Sequence, residues 1–142
     1  LPQHGIGRTC KVGKEQVVGL LVALRLFAEG SYKKQKIRNL KILENLFGKL
    51  DPKLQSMSEI VMGTGAEEPV LHLNTGKKDS ISAFDLTMFL SQGEPSIHCD
   101  NSRTEEGLVI FSASCLKPKD TEFISARLNK LLEDDSIFKN RA

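Results

Sequence analysis

The stretch MSEIVMGTGAEEPVLHLNT, residues 57–75, is where the chain changes period. Met57 to Met62 and Val70 to Thr75 are short, roughly alternating runs, and the turn between them carries Gly and Glu and ends at Pro69. Alternation at period two, bounded by turn residues, predicts two strands that pair with each other. Toward the N-terminus the period is helical. Lys14 to about Glu29 reads as a helix rich in Leu, Val and Ala, apolar nearly all round, which expects cover on more than one side. Gly30-Ser31 breaks it. A second helix, about Tyr32 to Leu50, places Ile37, Leu40, Leu43, Phe47 and Leu50 in one stripe, with Lys33, Lys34, Lys36, Arg38 and Lys41 opposite. Asp51-Pro52 ends it, and Leu1 to Gly13 reads as loop.

Toward the C-terminus, Ser82 with Asp85 three residues on resembles a capping box, Asp standing in for the usual Glu. The helix it opens is expected to bury Phe84, Met88 and Phe89 and to stop at Gly93. Ser96 to Cys99 reads as a short strand, and Gly107 to Ser112 as a more fully apolar one, expected at the centre of the sheet. Pro118 suits the first turn of a last helix with Ile124, Leu128 and Leu131 inward. Glu133-Asp134-Asp135 leads into a polar tail. The order is two helices, then β-β-α-β-β-α. This predicts an α+β fold: a small, mainly antiparallel sheet with helices packed on one face. Residues 1–30 form a junction loop and linking helix, and residues 31–142 the small C-terminal domain.

The 142 residues, 39% hydrophobic and 27% charged, suffice for one domain with a real core and argue against disorder or a fibre. A net charge of +2 does not by itself call for nucleic acid. It hides an asymmetry: residues 1–50 carry ten Lys and Arg against three Glu, and residues 51–142 carry ten against fifteen Asp and Glu. Three cysteines without CxxC spacing disfavour a disulfide framework or a zinc site, and a reducing cytoplasm is the expected home. The longest apolar run, Val17 to Leu24, falls short of the roughly 20 residues of a membrane span and lacks a signal-peptide cleavage site. The first residue is Leu1 rather than Met, from which a processed or truncated product is expected.

The densest chemical candidate is GIGRTCKVGK, residues 5–14. Arg8 offers a planar fork of donors for carboxylate or phosphate, and Lys11 a point charge. The glycines let backbone approach a ligand, and the helix that follows adds partial positive charge. The spacing is neither a Walker motif nor a Rossmann fingerprint. Cys10, between Arg8 and Lys11, lies where a thiolate would be favoured. His72 and His98 fall in expected strands and read as half-buried structural residues, with His4 in the terminal loop and no metal-ligand spacing among the three. Cys99 and Cys115 read as small apolar residues packed near strands. The basic stripe on the second helix lacks aromatic interleaving and reads as a solvated face. Glu67-Glu68 and Glu105-Glu106 read as solvated turns.

GIGRTCKVGKEQVVGLLVALRLFA, residues 5–28, resembles pyridoxal-phosphate enzymes of fold type I, in the selenocysteine synthase-like group, and is nearest the branch containing D-glucosaminate-6-phosphate ammonia-lyase. In that branch a GxGR(T/P)xKVGKE stretch joins the large cofactor domain to the C-terminal small domain. Gly93-Glu94-Pro95-Ser96-Ile97, Gly107-Leu108-Val109-Ile110 and Leu116-Lys117-Pro118-Lys119-Asp120 extend the resemblance over the whole chain in order. It implies a small domain closing over pyridoxal 5'-phosphate bound mostly elsewhere, with the Schiff-base lysine upstream and outside this chain. It places Arg8 and Lys11 toward the active site, binding anionic groups of a phosphorylated sugar-acid substrate. The implied reaction eliminates ammonia from an amino sugar acid phosphate to give a 2-keto acid. The implied partners are the large domain of the same protein and further copies in a homo-oligomer. Selenocysteine synthases carry an Arg near the position of Ala113, which this chain lacks, and that counts against their specific activity. The alternative from the residues is an RNA- or protein-binding assembly module using the Lys/Arg helix, or a domain for subunit contact alone.

Overall fold

Residues 12–64, 67–76 and 82–133 are described in the computed structural model. The fold is α+β: among these residues, five α-helices accompany a three-stranded antiparallel sheet. The helices are α1 (Lys14–Ala28), α2 (Ser31–Gly48), α3 (Pro52–Ser56), α4 (Ala83–Gln92) and α5 (Asp120–Glu133); the strands are β1 (Ser58–Val61), β2 (Val70–Asn74) and β3 (Leu108–Ser112). The chain divides into two compact units, Leu1–Gln35 and Lys36–Ala142, the boundary falling inside α2.

The alternating stretch forms β1 and β2 as expected, paired Ser58 to Leu73 through Val61 to Val70. β3 joins the other side of β2, with Leu71 opposite Phe111 and Leu73 opposite Val109. Period two then sorts the side chains. Leu71, Leu73, Val109 and Phe111 are buried in one core with Ile42, Leu43 and Leu46 of α2, Leu86 and Leu90 of α4, and Ile124, Leu128 and Leu131 of α5. The opposite register row, Glu59, His72 and Ile110, is exposed or half-buried. Buried residues of α2, α4 and α5 therefore cover one face of the sheet.

The expected fourth strand, residues 96–99, is absent, and Asp100 makes a single bridge to Ile110. Pro95 has no N–H to give, and the Ile97 N–H donates to the Leu90 carbonyl of α4 at 2.9 Å instead of to a strand. The Gly107–Ser112 run was expected to be central; β3 lies at the edge and β2 takes the centre. The apolar character of β3 has another cause. Leu108, on the face away from the core, is buried beside the 3₁₀ turn Thr104–Glu106.

Two helix faces also differ from expectation. α2 buries Asn39, Ile42, Leu43 and Leu46, while Ile37 is 57% exposed. A row built on steps of three drifts around a 3.6-residue turn, so Ile37 and Leu43 do not share a face. α4 buries Ala83, Leu86, Thr87 and Leu90, an i, i+3, i+4, i+7 set, and leaves Phe84 and Met88 exposed and Phe89 half-buried. Its cap is as expected: Ser82 Oγ accepts from the Asp85 N–H at 3.0 Å. α2 ends at Gly48, short of the expected Leu50, and Asp51-Pro52 instead starts α3, where Asp51 Oδ1 accepts from the Lys53 N–H at 2.9 Å. Gly107 has φ +79, a left-handed conformation, and its carbonyl accepts from both the N–H and the hydroxyl of buried Thr75 at 2.8 and 3.1 Å.

In the first unit, α1 has no buried residue. Arg25 Nε pairs with Glu29 at 2.8 Å, one turn on, and the Phe27 and Tyr32 rings stack at 5.2 Å across the left-handed Gly30.

Candidate functional site

Arg8, Lys11 and Cys10, the densest candidates in the sequence, lie outside the described residues, as does His4. The structure places the remaining candidates apart. His72 lies mid-β2, half-buried, opposite Glu59 and Ile110. His98 was expected to be a half-buried strand residue; it is exposed in the segment after α4, because that segment is not a strand. Among the described residues, no group of three or more His, Cys, Asp or Glu could hold a metal ion, and no helix is long and apolar enough to cross a membrane.

The two described cysteines part company. Cys99 is half-buried, and that burial pushes its thiol up to about 11; the local backbone pulls it down and the Asp100 charge adds a smaller rise. Cys115, expected to be packed, is exposed in the turn after β3. Asp100 is held below the ordinary carboxylate range because it accepts from Ser102, whose N–H lies 2.9 Å from Oδ1. Glu67 is lowered likewise by the N–H and hydroxyl of Thr64, both at 2.9 Å.

Part of the basic face of α2 serves the fold. Lys36 Nζ donates to the Gly63 carbonyl, and Arg38 Nη2 donates to the Leu116 carbonyl at 2.6 Å. Arg38 Nη1 also donates to Asn39 Oδ1 at 2.9 Å, and Asn39 Nδ2 donates to Glu68 at 2.8 Å. Asn39 is fully buried. One polar chain thus ties α2 to the β1–β2 connection and to the turn after β3. The sequence signal for it is an Asn within an otherwise apolar row, four residues before Leu43.

A concavity lies between the segment after α4, β3 and α5, with a volume of about 380 Å³. Ile97, Phe111, Leu116, Phe123 and Ile124 line it, and Ser96, His98, Ser112, Lys119 and Asp120 supply its polar groups. Arg127 braces one side: its guanidinium carbon sits 5.3 Å from the Phe123 ring centre and 5.8 Å from that of Phe89, and Nη2 donates to the Glu94 carbonyl at 2.8 Å. Gly93 makes room for it, since a Cβ there would meet the guanidinium. A second, shallower and more polar depression on the open sheet face is lined by Glu59, His72, Asn74 and Arg103. Arg103 is engaged by Glu106 there, which raises its pKa.

Pyridoxal phosphate requires a lysine at its aldehyde carbon and separate donors for its phosphate. Lys119 is the one Lys or Arg lining the enclosed concavity, and it cannot do both. No family model and no curated protein matches the chain.

Proposed function

We propose that this chain is the C-terminal small domain of a pyridoxal-phosphate-dependent lyase that removes ammonia from a phosphorylated amino sugar acid, such as D-glucosaminate 6-phosphate, to give a 2-keto acid. The observation that carries the reading is α1. It has fifteen residues, none buried, and Val17, Val18, Leu20, Leu21, Val22, Leu24, Leu26 and Phe27 are each about half exposed or more. A helix apolar nearly all round expects cover on more than one side, and this one directly follows the Arg8/Lys11 stretch that resembles the junction to a large cofactor domain. The resemblance and the α+β order that follows it support the same reading.

In this reading the large domain brings the cofactor and its lysine, which supply the electron sink. The part of this chain is binding. Arg8 holds a carboxylate or phosphate by two parallel hydrogen bonds, and Lys11 adds charge without fixing orientation. A cytoplasmic homo-oligomer belongs to the same proposal. In the enzyme, Arg8→Gln and Lys11→Gln are expected to raise KM for D-glucosaminate 6-phosphate about tenfold or more, with a smaller change in kcat, as loss of a charge-assisted contact would. Unchanged KM in both variants contradicts the assignment.

A further inference from the structure

We propose that the concavity between α5 and the segment after α4 is a binding site for a free amino acid with an apolar side chain, aromatic or branched. The proposal is independent of the lyase reading, because every residue it uses lies in the second unit and none belongs to the Arg8/Lys11 stretch.

Size sets the first limit. A cavity of about 150 Å³ holds benzene, so 380 Å³ accommodates a phenyl or isobutyl group together with a polar head. The lining sets the second. Phe111, Ile97 and Ile124 are 3%, 7% and 4% exposed and give the floor a dry, apolar surface, to which Phe123 and Leu116 add. The polar groups set the third. Lys119 and Asp120 bring one positive and one negative charge to the same concavity. Asp120 Oδ2 accepts from the Lys117 N–H at 2.8 Å, which leaves Oδ1 to take a donor. No ion pair engages Lys119 among the described residues. A carboxylate facing Lys119 and an ammonium facing Asp120 match both charges, whereas a ligand with a single charge leaves the other unanswered. Finally, the site is held open in advance. Arg127 links the Glu94 carbonyl, next to the lining Pro95, to the Phe123 ring, so binding need not order them.

The test titrates the 142-residue chain with L-phenylalanine, following amide chemical shifts of Ser96, Ile97, Ser112 and Lys119. Two analogues accompany it: 3-phenylpropanoate, which lacks the amine, and phenethylamine, which lacks the carboxylate. Phenylalanine is expected to bind with a dissociation constant on the order of 1 mM, as befits so few atoms, and each analogue about fivefold or more weaker. Lys119→Gln weakens phenylalanine and 3-phenylpropanoate but not phenethylamine. Asp120→Asn, which keeps an oxygen to accept from the Lys117 N–H, weakens phenylalanine and phenethylamine but not 3-phenylpropanoate. Absence of shifts at tens of millimolar phenylalanine overturns the proposal. So does equal binding of all three compounds, which would mean an apolar cleft indifferent to the head group.

Discussion

Cys99 and Cys115 show how far burial alone can separate two chemically identical side chains. The thiolate is the reactive form, and the half-buried Cys99 keeps its proton until the pH approaches about 11. The sign follows directly. Burial favours the neutral thiol, so the folded state is favoured at neutral pH by this group, and that contribution fades as pH rises from the ordinary thiol value of 9.0 toward 11. Alkylation of the folded chain with iodoacetamide near neutral pH is therefore expected to label Cys115 well before Cys99, read by peptide mass mapping. Equal labelling would mean that Cys99 is not shielded.

Among the elements, α2 departs from what the sequence implies at both Ile37, which is exposed, and Asn39, which is buried. Its amide takes part in the chain from Leu116 through Arg38 to Glu68, and it is wholly buried. Asn39→Ala removes a buried donor and acceptor at once and leaves Glu68 and Arg38 without it. The expected loss is about 1–3 kcal/mol, read from the midpoint of urea unfolding; an unshifted midpoint contradicts the role given to it. A polar residue that organises a helix face is invisible to a count of apolar periodicity. Ile37 was placed on that face and Asn39 left out of it, while Ile124, Leu128 and Leu131 of α5 were legible as inward although Thr121 and Ser125 are buried beside them. The paired strands at residues 57–75 and the Ser82 cap were legible for a related reason: turn residues and caps act within a few positions of themselves. The strand expected at residues 96–99 was not, because the Ile97 N–H is claimed by a carbonyl of α4. The extended run was visible, its hydrogen-bond partner was not. Of the candidate site, the basic stretch was legible as chemistry, whereas the concavity is assembled from β3, α5 and the segment after α4 and has no linear signature.

At the scale of the whole molecule, the second unit has the buried core and the first presents α1. Exposed apolar surface of that extent associates. The 142-residue chain on its own is expected to form dimers or larger species as concentration rises, and Leu21→Lys with Leu24→Lys to restore the monomer, by analytical ultracentrifugation. A wild-type chain that stays monomeric at high concentration would contradict the claim that α1 needs cover. In the proposed enzyme that cover is the large domain, and the small domain contributes substrate-binding charge rather than the cofactor lysine. The measurement closest to this claim is borohydride reduction of the complete gene product, followed by peptide mapping of the pyridoxyl group. The account predicts one pyridoxyl lysine, located outside residues 1–142. A pyridoxyl group on any lysine within them, or none at all, would contradict it.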